Sequence, residues 1–378
     1  MVDIVINGRF LTQKTTGVQR VAREITRALD RLIAEEVPHL SVRLICQPSA
    51  DLGDLELAAI TVQRVGGFSG QLWEQLSLPR AARGAKLLCL ANSAPILSLL
   101  SAMPPAVVIH DLSYRHYPHA YRMGYRIAHS ALMPALLRRA DPLVTVSVAE
   151  RDELLKLTDR GDDPIVVAQN GSWRSIPAAA NGSPSLGKLP DRGYLLYIGA
   201  LSQRKNIMGV LSAAIQLARE DGTPFVFVGS STSVHTSMAF EIPDDVSDRI
   251  VLLGHIEDAA VLAELYAGAA ALVFPSFYEA SPLPPLEAMH FGCPVVVSDI
   301  PAFRERCGDA AEYCDPFDVS SIVGAVRNVL YNQPARDALI RKGGERARSF
   351  TWERQARIVL DAVLQSLEHD RSDVMDTV

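Results

Sequence analysis

The chain has 378 residues, long for one domain and comfortable for two. Hydrophobic residues make up 48% and charged residues 21%, which excludes a largely disordered chain and allows two sizeable cores. The net charge of −6 is uneven: residues 1–180 carry 20 Lys/Arg against 17 Asp/Glu and residues 181–378 carry 17 against 26, so the first half better suits an anionic partner.

In chain order, β-branched runs predict strands at 3–6, 42–46, 86–90, 106–110, 143–147 and 165–168. A helix is predicted over 18–36, where Val18, Val21, Ala22, Ile25, Leu29, Leu32 and Ile33 recur at helical spacing. Residues 175–193, rich in Pro, Gly, Ser and Ala, read as a linker. The alternation then restarts, with strands at 194–198, 225–229, 250–254, 271–275 and 294–298 and helices near 206–220, 257–269 and 284–291. From 318 to about 367 the pattern is helical, and 368–378 is a polar tail. The expectation is α/β: two doubly wound Rossmann-like domains, 1–180 and 181–367, facing a cleft, with the last helix able to cross back to the first domain.

The five cysteines are scattered, with no Cys-X-X-Cys pair and no zinc-type spacing, and read as buried thiols in a reducing compartment. No secretory pattern opens the chain, and no run of about 18 apolar residues suggests a membrane span. The expected location is cytoplasmic.

Four places carry candidate chemistry, all at strand-to-helix transitions. Gly17 opens the first long helix, where a backbone free of side chain and a helix N-terminus favour a phosphate; an ordinary loop glycine is the plainer reading. His110-Asp111 ends a strand, where a histidine can bond a reacting sugar or simply be satisfied by its neighbour. Gly199 begins the turn GALSQRKN, which delivers Arg204 and Lys205 to a helix start, a setting suited to a diphosphate and to a leaving group gaining charge. In FYEASPLPPLEAM, Glu279 and Glu287 are eight residues apart, and the amides of Ser281 and Leu283 could meet a sugar or phosphate. The bland alternatives are a solvated basic turn, a surface acid at 279 and a dipole-favoured acid at 287.

The Glu-X7-Glu segment with PPLEAM and then PVVVS resembles the retaining glycosyltransferases of family 4, which share the GT-B fold. The RKN turn, TGVQR after the first strand, IHD and VVAQNG are similar to that family's segments and occur in its order, so the resemblance spans nearly the whole chain. It implies that Glu279 holds the donor sugar's hydroxyls and Glu287 the ribose. Arg204 and Lys205 would neutralise the diphosphate, Gly17 would crowd the β-phosphate from the opposite domain, and His110 would contact the sugar near the reacting carbon. It further implies a nucleotide-sugar donor, GDP-mannose ahead of a UDP-sugar, no cofactor and no metal. The implied acceptor is a lipid-pyrophosphate-linked sugar or an oligosaccharide in bacterial polysaccharide or O-antigen assembly. Ala200 and Ala280-Ser281-Pro282 depart from the usual pattern, and Pro282 cannot donate an amide hydrogen bond.

Residues 112–140 contain no Asp or Glu but hold Arg115, Arg122, Arg126, Arg138 and Arg139 among four tyrosines and three histidines. This suits an anionic membrane surface, giving a peripheral position on the inner face of the cytoplasmic membrane, or a pyrophosphate-linked lipid; a solvated helix packed on the N-domain is the alternative. No nucleic-acid partner is expected. Two other function classes remain: a glycoside hydrolase using Glu279 and Glu287, and a non-catalytic sugar-nucleotide binder. A dehydrogenase lacks its Gly-X-Gly-X-X-Gly, and the absence of Asp-X-Asp disfavours the metal-dependent single-domain transferases.

Overall fold

The computed structural model describes residues 3–121, 123–161, 164–173, 193–230 and 241–375. The chain forms two compact units: Met1–Leu112, Ile127–Gly171 and Thr351–Val378 make the first, and Ser113–Arg126 and Ser172–Phe350 the second. The expected boundary at 180/181 and the linker up to residue 192 lie outside the described residues.

Unit 1 is built on strands β1 (Asp3–Asn7), β2 (Ser41–Cys46), β3 (Thr61–Arg64), β4 (Lys86–Cys89), β5 (Ala106–Ile109), β6 (Leu143–Thr145) and β7 (Val166–Val167). They pair in parallel in the order β3-β2-β1-β4-β5-β6-β7. Parallel strands covered on both faces read as continuous apolar runs, and Val5, Leu44, Val107 and Val144 are fully buried. The helix Gly17–Glu36 buries Val21, Ile25, Leu29, Leu32 and Ile33, one stripe at helical spacing. Gln19 Oε1 closes its first turn by accepting the Thr16 N–H at 3.3 Å.

The helix Trp352–Met375 packs along Gly17–Glu36 and completes this unit. Arg357 Nη1 donates to Glu36 Oε2 at 2.7 Å. The fully buried Lys86 Nζ donates to Ser366 Oγ at 2.6 Å, and Ser366 Oγ donates to Asp141 Oδ2 at 2.6 Å.

Unit 2 repeats the plan with β8 (Tyr194–Ile198), β9 (Phe225–Val228), β10 (Ile250–Gly254), β11 (Ala269–Phe274), β12 (Val295–Ser298) and β13 (Glu312–Cys314), in the order β10-β9-β8-β11-β12-β13. All its pairings are parallel. One core of aromatic and β-branched side chains, including Tyr197, Phe225, Phe227, Phe274 and Phe303, fills it.

Two strands escape the sequence reading. β3 is an edge strand of polar composition, TVQR, with no buried side chain, and β13 has only three residues on the opposite kind of edge. Neither shows an apolar run because an edge strand buries little. In each sheet the strand order reverses beside the first strand of that unit, between β1 and β4 and between β8 and β11. Such switch points open a crevice at the strands' carboxyl ends.

Candidate active site

The switch point of unit 2 is formed by the loops that leave β8 and β11. After β8 the chain turns through Gly199 to a 3-10 turn, Gln203–Lys205, and then to the helix Ile207–Glu220. Asn206 stands between them in the left-handed region, φ 55°. Its Oδ1 caps the helix by accepting the Gly209 N–H at 3.2 Å, and its Nδ2 donates to Pro316 O at 2.7 Å. A side chain at 199 would press at 3.2 Å on Phe274 and at 3.3 Å on the Lys205 stem, so the glycine keeps Lys205 in place.

The β11 loop meets this turn directly. Phe277 N–H donates to Arg204 O at 3.0 Å, and Arg204 Nη1 donates to Tyr278 O at 2.8 Å. Glu279 Oε1 lies 2.7 Å from Lys205 Nζ and 3.3 Å from Arg204 Nη1. Lys205 Nζ also sits 4.6 Å over the Phe274 ring. The three side chains are only 8–12% exposed. Burial would raise the Glu279 pKa, but the charges of Lys205 and Arg204 outweigh it and hold the carboxyl below its ordinary range. Two cations against one carboxylate leave a net positive cluster, which suits a polyanion at this edge.

Glu287 has a different setting. It lies in the helix Pro284–His290, whose first two positions are prolines, and is 2% exposed. Its Oε2 accepts the Tyr266 hydroxyl at 2.8 Å. Leu283 stands just before this helix and is buried, and Ser281 is half-buried in the same loop. The eight-residue spacing thus gives the two acids separate partners, cations for Glu279 and a phenol for Glu287.

Gly17 and His110 are in unit 1. A Cβ at Gly17 would meet nothing within 4 Å, so the helix start there is open. His110 is buried, and its Nε2 is 2.7 Å from Leu90 O, so it must carry the proton and donate. Burial lowers its pKa against the opposing pull of that carbonyl and Asp111, which makes the ring neutral at pH 7. Asn92, at φ 54°, accepts the His110 backbone N–H on Oδ1.

The structure therefore joins Gly199, Arg204, Lys205 and Glu279 in one cluster. Tyr266 and Asn92 were not visible as site supports: Tyr266 reads as helix core, and nothing marks Asn92 as left-handed. In the basic stretch, Arg122 lies outside the described residues, and Arg115 is exposed. Much of the aromatic content turns inward: Tyr114 and Tyr121 are buried, and His116 stacks on Tyr278 at 4.7 Å. Met123 and Ile127 are exposed. No helix among the described residues is long and apolar enough to cross a membrane.

Residues 181–346 match the family model of glycosyl transferases group 1. O-antigen chain mannosyltransferase B of Escherichia coli is 34% identical over 263 residues, 65% of this chain and 66% of that one. O-antigen chain mannosyltransferase RfbU of Salmonella typhimurium is 28% identical over 224 residues, 59% and 60% of the two chains. The matches thus span a little under two thirds of these relatives. Sucrose-phosphate synthase from Thermosynechococcus elongatus superposes over the whole of both chains with a TM-score of 0.69 at 18% identity. Anabaena HepE in complex with UDP-glucose covers 98% of this chain and all of its own, with a TM-score of 0.66 at 15% identity. Residues 181–346 thus carry the match to the glycosyl transferases group 1, on a chain of two Rossmann-like units of the GT-B kind.

Proposed function

We propose that the protein is a retaining glycosyltransferase. It moves a hexose, mannose from GDP-mannose being the preferred choice, from a nucleotide-diphosphate sugar to a lipid-linked or saccharide acceptor in bacterial polysaccharide or O-antigen assembly. The observation that carries this reading is the cluster of Arg204, Lys205 and Glu279 at the switch point of unit 2. The mannosyltransferase relatives support the sugar, and HepE with UDP-glucose supports the donor class.

In this reading Arg204 and Lys205 meet the diphosphate, which gains charge as the sugar leaves, and act as preorganised electrostatic stabilisers without a metal. Both cations bond Glu279 through Oε1, so its second oxygen is the one assigned to the sugar hydroxyls. Ser281 and Leu283 line the donor loop, Gly199 gives the phosphates backbone access, and Glu287 takes the ribose. Gly17 and His110 are assigned to the β-phosphate and the sugar. In a front-face mechanism the bond from the anomeric carbon to the diphosphate oxygen breaks, the acceptor oxygen bonds that carbon on the same face, and the departing oxygen takes the acceptor's proton, so the anomeric configuration is kept.

The test is turnover of GDP-mannose with and without excess EDTA, in wild type and position-205 variants. Lys205→Ala should lower kcat/KM by roughly 10²-fold or more. Lys205→Arg should recover only part, since the cations differ in shape. Activity should persist in EDTA. Normal turnover by Lys205→Ala would remove the diphosphate assignment, and loss on chelation restored by Mg²⁺ would remove metal independence.

A further inference from the structure

The loop that leaves β13 in unit 2 carries Phe317, whose ring is 77% exposed. Single exposed apolar side chains are ordinary, but this one ends a row of rings. Phe317 stacks on Phe277 with 4.7 Å between centroids and 25° between planes. Phe277 in turn lies 6.4 Å from Tyr117 and within 12° of parallel. Beside them His116 stacks on Tyr278 at 4.7 Å. All these rings belong to unit 2, and none is part of its apolar core. Offset stacking of this kind holds a ring in place. It leaves Phe317 one face on Phe277 and the other open to solvent.

The loop beneath the ring is pinned. Pro316 is buried, and its carbonyl accepts from Asn206 Nδ2 at 2.7 Å. Asp315 Oδ1 accepts the Phe317 N–H at 2.9 Å, and the Asp315 N–H donates to Ser321 Oγ at 2.9 Å. Asp318 Oδ1 accepts the Ser320 N–H at 2.8 Å. Asn206 follows Lys205, and Phe277 stands two residues before Glu279. The row of rings is therefore fixed to the same two loops that carry the Arg204–Lys205–Glu279 cluster.

Charge decides what the open face can meet. Residues 312–318, EYCDPFD, hold three carboxylates and no Lys or Arg. Asp315 and Asp318 are exposed on either side of Phe317 in the chain. Arg204, whose charge reaches Tyr117 at the other end of the row, is paired with Glu279. An acidic setting opposes a phosphate or an anionic lipid. Rings that stack nucleic-acid bases stand in a positive groove, which this loop does not provide. A neutral saccharide suits both parts of the surface. One face of a pyranose is lined by C–H groups and can lie on a phenyl ring, while hydroxyls at its rim donate to carboxylates. In the bonds above each aspartate uses one oxygen and has a second to offer.

We propose that the row of rings ending in Phe317 is a carbohydrate platform on unit 2. One pyranose of a neutral saccharide chain lies on the open face of Phe317, with hydroxyls on Asp315 and Asp318. The platform does not rest on the transferase reading; that reading adds only that the sugar held here is one that does not react.

The full chain is titrated with an α-linked mannotetraose, maltotetraose, decalysine and inorganic pyrophosphate by saturation-transfer NMR, and with GDP by calorimetry. Wild type should bind at least one tetrasaccharide. Phe317→Ala should weaken that binding by about threefold to tenfold, the range of one aromatic contact. Phe317→Leu, apolar but without a ring, should weaken it as far, and Phe317→Trp should hold or tighten it. GDP affinity and melting temperature should match wild type in all three, because the ring is exposed and outside the cationic cluster. The proposal is overturned if wild type binds neither tetrasaccharide, or if Phe317→Ala or Phe317→Leu binds as wild type does. It is also overturned if Phe317→Ala loses GDP in step with saccharide, or if decalysine or pyrophosphate displaces the tetrasaccharide from wild type. A chain that binds tetrasaccharide through Phe317 but no nucleotide sugar overturns the transferase reading alone; the reverse result overturns only the platform.

Discussion

Glu279 and Glu287 show how one residue type takes two roles from its surroundings. Glu279 sits on two cations, whereas Glu287 is sunk in a helix start against the Tyr266 hydroxyl. Their division of labour is testable by substitution with glutamine, which keeps the shape and removes the charge. Glu287→Gln should weaken free GDP by about tenfold, the size of one charged hydrogen bond, and raise KM. Glu279→Gln should leave GDP affinity within about twofold and lower kcat, because the proposed function assigns it to the sugar. Calorimetry with GDP beside steady-state rates checks both, and melting curves confirm that the variants fold. Equal loss of GDP binding in the two would sink the assignment.

At the scale of elements, the turn Gln203–Lys205 depends on Asn206 more than on its own bases. A left-handed residue that also caps the next helix loses two things when it becomes alanine. Asn206→Ala should cost roughly 2 kcal/mol, about half from the cap and half from the backbone. Asn206→Gly keeps the backbone freedom and should cost less. Urea melts give the order, and equal losses would mean that the conformation at 206 is not strained. The sequence made this turn legible because a strand, a glycine and a basic pair leading into a helical pattern are local signals. The buried strands were legible for the same reason, with apolar runs such as YLLYI and FVFV. Edge strands β3 and β13 were not, since they bury too little to need apolar residues. The π turn Trp73–Ser77 was also hidden, because periodicity arguments assume about 3.6 residues per turn. Nor could spacing reveal that Tyr266 would support Glu287, as contacts between distant elements leave no local mark.

At the scale of the molecule, the chain returns to its first unit after finishing the second. The helix Trp352–Met375 buries Gln355, Val359, Val363 and Ser366 in unit 1, and Ser366 is the partner of the buried Lys86. Deleting residues 351–378 should therefore strip unit 1 of a wall and expose a lysine that is fully buried in the native state. Calorimetry on the shortened chain should show the unit 1 transition lost or lowered by more than 10 °C, on the order expected when several buried apolar side chains and a buried charge partner go together, with the unit 2 transition kept. A melting profile unchanged from wild type would show that the helix is dispensable. The same return has a consequence for birth on the ribosome. Synthesis runs N-terminus first, so the sheet made earliest is sealed last, after the other has left the exit tunnel complete. At roughly 5–20 residues per second the wait is on the order of tens of seconds. During it, the flank of Gly17–Glu36 that the last helix will cover is an apolar surface open to chaperones, and a stalled or truncated transcript would leave it so.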